Sequence, residues 1–87
     1  MQRFLIISPH TDSECKDALQ QVLFAGYLTH FDWGCADGDH TGWAIVEAEN
    51  KTEALMVVPP GQRHTARAVK LIKFSAEEVE RMHHLKK

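Results

Sequence analysis

The chain has 87 residues, of which 44% are hydrophobic and 25% are charged, a composition typical of one small folded domain. The formal net charge is −2 and the sequence has no basic block apart from its last two lysines, so we expect no nucleic-acid partner. Two cysteines are too few for a disulfide framework, the first residues do not resemble a signal peptide, and no apolar run approaches the roughly 20 residues of a membrane span, so we expect a cytoplasmic protein without a membrane partner.

The first predicted elements are a strand and a helix. Residues 4–7 are apolar and include two isoleucines, and Pro9 follows them, which indicates a buried strand. Thr11 and Glu14 have the spacing of a capping box, and apolar residues then recur at helical intervals. Gly26 comes after the last of them and is suited to end the helix in the left-handed conformation.

The next segment predicts a hairpin. Residues 27–33 alternate between aromatic and polar side chains, and residues 43–48 form another strand-like run. The loop between them is polar and rich in glycine and aspartate. We therefore predict two antiparallel strands joined by this loop.

The last segment predicts a helix, a strand and a second helix. Asn50 is placed to cap a short helix over residues 53–58, which must end before Pro59 because proline cannot continue a helix. Residues 65–74 predict the fourth strand. Ser75 then opens a third capping motif, which begins a C-terminal helix.

This order of elements predicts a single α+β domain over residues 1–87. The fold is ferredoxin-like βαββαβ, with a four-stranded antiparallel sheet and an additional C-terminal helix. In that topology the exit of the first strand, the start of the first helix, the loop 34–41 and the entry of the fourth strand share one end of the sheet. This end collects seven ionisable side chains, namely His10, Cys15, Cys35, Asp37, Asp39, His40 and His64.

The alternation of side chains assigns the two faces of the hairpin. If Trp33 lies opposite Gly42, the helices cover the face that carries the smaller side chains. This core face consists of Tyr27, Thr29, Phe31, Trp33, Ala44, Val46 and Ala48. The open face consists of Leu28, His30, Asp32, Trp43, Ile45 and Glu47. Because a short chain buries little of its own surface, we expect a homodimer through the open sheet face.

The polar end of the sheet suits a transition-metal ion such as nickel, zinc or copper. The predicted ligands are His10, Cys35, Asp39, His40 and His64. They show no diagnostic spacing such as CxxC or HExxH, and the needs of a tight turn also explain a loop rich in glycine and aspartate. We do not expect calcium, because the helix–loop–helix context of a calcium loop is missing.

The open face offers an acid–base pair. His30 and Asp32 are two residues apart, so on a strand they point the same way, and the carboxylate would raise the pKa of the imidazole. Trp43 would form one wall of a substrate pocket beside them. The same pair is also explained as a hydrogen-bonded contact within a dimer interface.

Three other features remain to be assigned. Cys35 is a candidate nucleophile or redox thiol in an accessible loop, although the sequence places no base or cation beside it. Cys15 lies on the apolar stripe of the first helix and is predicted to be a packing residue. Arg63, with His64 and Arg67, is a candidate anion-binding group, and the alternative is a stiff turn with solvated charges.

Residues 30–35 (HFDWGC), 39–43 (DHTGW) and 44–49 (AIVEAE) resemble small bacterial proteins of unknown function in the dimeric α+β barrel class. Some similar small proteins are described as nickel-binding. The resemblance implies a homodimer that packs sheet face to sheet face, with a site near the interface, and it supplies no reaction. Three hypotheses remain: a homodimeric protein that binds a metal or small ligand, a small-barrel enzyme, and a structural or regulatory oligomer.

Overall fold

The computed structural model describes residues 1–85 and has four strands and three helices. The strands are β1 (Gln2–Pro9), β2 (Phe31–Trp33), β3 (Thr41–Ala48) and β4 (Arg67–Leu71). The helices are α1 (Cys15–Ala25), α2 (Lys51–Ala54) and α3 (Ala76–Leu85). The strands form one antiparallel sheet in the order β2-β3-β1-β4, so the protein is of the α+β class.

The hairpin has the register on which the assignment of its two faces depended. Trp33 pairs with Gly42, and Asp32 pairs with Trp43. Glycine is required opposite the indole, because a Cβ at position 42 would lie 2.9 Å from the Trp33 ring. The register places Phe31 and Ala44 on the buried face, whereas Asp32 is exposed on the other face.

The hydrophobic core lies between that buried face and the helices α1 and α2. Its largest fully buried side chains are Phe4, Ile6, Val22 and Val58. Phe4 and Ile6 alternate along β1 with half-buried neighbours, as expected for a central strand with only one covered face. Val22 projects from α1 onto this core.

The helix ends follow the predicted caps. Thr11 N donates to Glu14 Oε1 at 2.8 Å, and after one turn of 3-10 helix α1 begins at Cys15. Gly26 ends α1 in the left-handed conformation with φ of 86°. Asn50 Oδ1 accepts from the backbone N–H of Glu53 at 2.8 Å and so caps α2. The helix predicted over 53–58 instead starts two residues earlier and finishes as a 3-10 turn over Leu55–Val57.

The second strand is shorter than predicted. Leu28–His30 forms a 3-10 turn, and only Phe31–Trp33 pairs with β3. The reason is the helix cap, because Tyr27 N donates to Val22 O and His30 N donates to Tyr27 O, so the backbone is still turning at His30. The assignment of Tyr27, Thr29, Leu28 and His30 to sheet faces was therefore wrong.

The fourth strand is also shorter than the predicted 65–74. At its start, Thr65 N and Ala66 N donate to the carbonyls of Gln62 and Arg63, so these residues belong to a turn. At its end, the pairing of Arg3 with Leu71 is the last in the β1–β4 ladder. Residues beyond 71 have no strand beside them in this ladder, and they leave the sheet.

All described side chains of α3 are exposed, and the open face of the sheet carries both exposed and half-buried side chains. The side chains from residue 72 to residue 82 are exposed without exception, including Ile72, Phe74, Val79 and Met82. The radius of gyration is 15.9 Å, whereas a compact chain of this length has about 12 Å. Within the part of the chain that the structure describes, no helix has the length and apolarity needed to cross a membrane.

Candidate metal centre

Four side chains with metal-binding atoms meet at one end of the sheet. They are His10, Cys15, Cys35 and His40, and one potential ligand atom of each lies within 4.8 Å of those of the others. All four residues are half-buried. They belong to three separate segments: the exit of β1, the first residue of α1 and the loop between β2 and β3.

Backbone pairing explains why the two histidines are neighbours. The β1–β3 ladder ends with the pair Pro9 and Thr41, and His10 N then donates to His40 O at 2.9 Å. This bond continues the ladder by one step, so the two residues leave the sheet side by side. Their imidazole rings lie edge to face with centroids 5.9 Å apart.

The loop brings Cys35 to the same place through a tight backbone turn. Gly34 N donates to Thr41 O at 3.0 Å, and Asp39 N donates to Gly34 O at 3.0 Å. A Cβ at position 34 would lie 2.6 Å from the Asp39 carbonyl oxygen, so only glycine fits there. The loop then reverses through Gly38, whose φ is 87°.

The two sulfur atoms are in direct contact. Cys15 Sγ donates to Cys35 Sγ at 3.0 Å, and His10 Nε2 lies 3.4 Å from Cys35 Sγ. The hydrogen bond with the Cys15 thiol, together with burial, raises the pKa of Cys35 to about 11. A metal ion that binds here must therefore displace thiol protons, and its binding must strengthen as pH rises.

The imidazole of His40 has a carboxylate on its outer side. His40 Nε2 lies 3.3 Å from Asp12 Oδ1, while His40 Nδ1 is buried and has no hydrogen-bond partner among the described residues. A carboxylate that accepts the Nε2 proton fixes the tautomer in which Nδ1 carries a free lone pair. His10 Nδ1 is likewise a buried atom without a partner in the described part of the chain.

Three of the five predicted metal ligands belong to the cluster: His10, Cys35 and His40. The structure places Asp39 outside it, where Oδ1 accepts a hydrogen bond from Thr41 Oγ1 at 2.7 Å and supports the turn. His64 is exposed and also lies outside the four-residue cluster.

Cys15 is the cluster residue that the sequence did not assign as a ligand. Its position on the helical stripe suggested packing, yet its sulfur faces Cys35. The signal was present in the topology, which placed the start of the first helix at the same end of the sheet as the loop.

A cavity of about 290 Å³ adjoins the cluster. It is lined by Pro9, His10, Thr11, Glu14, Gly61, Gln62, His64 and Thr65. His10 is the residue that belongs to both the cavity and the cluster. Hydrogen bonds from Thr11 lower the pKa of the Glu14 carboxyl on the cavity wall, so this group is ionised at neutral pH. The cavity is large enough for a small molecule beside the cluster.

The predicted acid–base pair lies elsewhere. His30 is exposed at the end of its 3-10 turn, with its ring 5.6 Å from that of Tyr27. Asp32 is exposed opposite Trp43 on the open face. Within residues 1–85 no ion pair joins His30 to Asp32, and their catalytic role with Trp43 stays a prediction.

Arg63 serves the turn before β4. Its Nε donates to Val58 O at 2.9 Å, and one terminal nitrogen is 3.5 Å from Met56 O. These bonds hold the segment after α2 against the turn, which matches the alternative explanation for this residue. Its role in binding an anion also stays a prediction.

Comparisons with models of protein families, with curated proteins and with solved structures found no match. The functional argument therefore depends on the geometry of the cluster and on the chemistry of its donor atoms.

Proposed function

We propose that the chain binds one transition-metal ion through His10, Cys15, Cys35 and His40. The observation that supports this most directly is that four donor atoms lie within 4.8 Å of one another. Four tetrahedral ligands at the usual Zn–N and Zn–S distances are about 3.3–3.8 Å apart. To surround an ion, the longer separations in the cluster must shorten and the 3.0 Å distance between the two sulfur atoms must lengthen, each by on the order of 1 Å.

The donor set favours zinc among the three metals considered. Two thiolates cancel the charge of a divalent ion, and two imidazoles complete a tetrahedral set that suits Zn²⁺. Nickel and Cu(II) prefer planar or tetragonal sites, whereas Cu(I) accepts thiolates and is the closest competitor. Nickel, one of the three metals that the sequence left open, thus becomes a less favoured form of the same hypothesis.

Four protein ligands make a closed site. Catalytic zinc sites keep one position for water or substrate, and structural sites fill all four positions with side chains. We therefore propose a binding role in which the ion holds the exit of β1, the start of α1 and the loop 34–40 together. The neighbouring cavity would hold a small ligand close to this centre.

The experiment is metal analysis of protein purified without a histidine tag, followed by competition with a chromophoric chelator. We expect one zinc ion per chain, and we expect Cys15→Ser and His40→Ala to lose it. The matched controls are Asp39→Ala and His64→Ala, which change predicted ligands outside the cluster and should keep the metal. Absence of metal, with no thermal shift on adding zinc, nickel or copper, would contradict the proposal.

We also propose that the chain is a homodimer through its open sheet face. The accessible surface of 6217 Å² exceeds by about 1,000 Å² the area expected for a compact protein of this mass. A standard interface buries about 800 Å² of each partner, an area comparable with this excess of accessible surface. Leu5, Ile45 and Val69 form one cross-strand row on this face, and Ile45 is 56% exposed.

The charges on the open face suggest how two copies would meet. Asp32 and Glu47 lie on β2 and β3, whereas Arg3 and Arg67 lie on β1 and β4. A two-fold axis parallel to the strands places the acidic half of one copy over the basic half of the other. A two-fold axis perpendicular to the strands would instead place the acidic half of one copy over the acidic half of the other. We therefore favour the axis parallel to the strands.

The dimer is tested by sedimentation equilibrium of Ile45→Glu. The matched control is Phe24→Glu on α1, where an apolar side chain is 82% exposed away from the sheet face. We expect the first variant to be monomeric and the control to remain dimeric. A monomeric parent protein at micromolar concentration would exclude the dimer without bearing on the metal.

The finer description of the fold belongs to the same proposal. The strand order and the alternation of helices and strands support a ferredoxin-like arrangement. We also propose a cytoplasmic location, because thiols as close as those of Cys15 and Cys35 persist in a reducing compartment.

A further inference from the structure

We propose that Cys15 and Cys35 form a reversible disulfide by exchange with a small-molecule disulfide such as oxidised glutathione. These two cysteines would be a site of reversible oxidation as well as two of the four proposed metal ligands. The part of the inference that concerns the metal rests on the proposed function, whereas the disulfide itself rests only on the sulfur geometry.

The distance between the sulfur atoms is the first argument. Cys15 Sγ and Cys35 Sγ are 3.0 Å apart, and a disulfide bond is about 2.05 Å long. An approach of about 1 Å is small compared with the side-chain rotations available to two half-buried thiols.

The composition is the second argument. The chain has only two cysteines, so one intramolecular disulfide is possible and no other thiol competes for it. The two residues are 20 positions apart and come from different elements, so folding is what brings them together. The folded chain should therefore favour the disulfide far more than the unfolded chain does.

The exchange balances in two steps. One cysteine thiolate attacks a sulfur of the small disulfide, forms a mixed disulfide and expels one small thiolate. The second cysteine thiolate attacks the cysteine sulfur of that mixed disulfide, forms the Cys15–Cys35 bond and expels the other small thiolate. The two expelled thiolates take up the two protons that the cysteines lose, so two electrons pass from the protein to the small disulfide.

Disulfide formation and metal binding exclude one another under this inference. Each sulfur in the disulfide lacks the thiolate charge that binds an ion, and the two imidazoles alone are an incomplete set. Oxidation would release the metal, and bound metal would protect the thiols. His10 and His40 would stay beside each other, because their backbones are joined through the sheet ladder.

The first test uses metal-free protein in buffers of reduced and oxidised glutathione, with and without urea. Samples are trapped with acid and alkylated, and the mass of the chain is measured by mass spectrometry to count its free thiols. We expect an intramolecular disulfide, reversed by dithiothreitol, whose equilibrium constant is at least tenfold larger in the folded than in the unfolded protein. Equal constants in the two states, or only mixed and intermolecular disulfides in the folded protein, would overturn the inference.

Three further samples separate this inference from the proposed function. Cys15→Ser should stop at the mixed disulfide of Cys35, whereas His64→Ala, which keeps both thiols, should behave as the parent protein. Zinc-loaded protein should react at least tenfold more slowly than metal-free protein. If no zinc binds but the folded disulfide forms, the metal proposal fails and the dithiol site stands. If zinc binds but the disulfide equilibrium constant is the same in the folded and unfolded protein, the metal proposal stands and the dithiol site fails.

Discussion

The carboxylate of Asp12 gives a quantitative test of how the metal centre is held. It lies 3.3 Å from His40 Nε2, and its side chain is 90% exposed. At that distance a unit charge in a water-like medium interacts with about 1.3 kcal/mol, which corresponds to roughly a ninefold change in affinity. Outer carboxylates of metal-bound histidines contribute about 10–100-fold, so the exposed Asp12 should be at the lower limit.

We therefore expect Asp12→Asn to weaken zinc binding about tenfold, measured by chelator competition at low ionic strength. The loss should shrink as salt is added, because the carboxylate is exposed to solvent. Asp17→Asn is the matched control, since it removes the same charge from the first turn of α1 without contacting His40 in the described hydrogen bonds and ion pairs. Equal losses in the two variants would show that general charge near the helix, rather than orientation of His40, sets the affinity.

Two more predictions follow from the loop and from the thiols. Gly34→Ala should lower the free energy of unfolding by about 1–3 kcal/mol in urea titrations, because the new Cβ meets the Asp39 carbonyl at 2.6 Å. Gly61→Ala is its control, since the nearest atom there is 3.8 Å away and little change is expected. The pKa of Cys35 is raised from 9.0 to about 11, which means that the folded state favours the protonated thiol. In the metal-free protein, the contribution of this thiol to the free energy of unfolding should therefore be complete below pH 9 and should be lost as pH rises towards 11. Urea titrations of the parent protein and Cys35→Ser across that range should converge at high pH, and parallel curves would contradict the assignment.

Local rules predicted the parts of the fold that depend on neighbouring residues. The caps at Thr11 and Asn50 and the left-handed end at Gly26 use contacts within a few residues, and the structure confirms them. The pairing of Trp33 with Gly42 was the condition on which the face assignment depended, and the structure has that pairing. The antiparallel sheet of four strands was predicted from the same patterns.

The errors arose where tertiary structure decides between two local choices. Residues 28–30 alternate like a strand, but hydrogen bonds from the end of α1 keep them in a turn. The position of Cys15 fits both the apolar stripe of α1 and the four-residue cluster. The rotation of α1 relative to the loop decides whether its sulfur packs in the core or contacts Cys35. Asp39 was predicted as a ligand, and in the structure its carboxylate accepts a hydrogen bond from Thr41 Oγ1 within the turn, a contact that the sequence pattern did not indicate.

The hydrogen bond from His10 N to His40 O extends the β1–β3 ladder beyond Pro9. It joins two segments that are both synthesised early. All four cluster residues lie within the first 40 positions, and β3 is complete at Ala48. During synthesis the N-terminal half therefore carries every ligand and both strands that align the histidines before α2, β4 and α3 exist. An ion captured at that stage would hold β1 against β3 while the growing chain still lacks the rest of its core. Under the metal proposal, all four ligands are present in the growing chain before Gly61, Gln62, His64 and Thr65, which line the cavity beside His10, have been added.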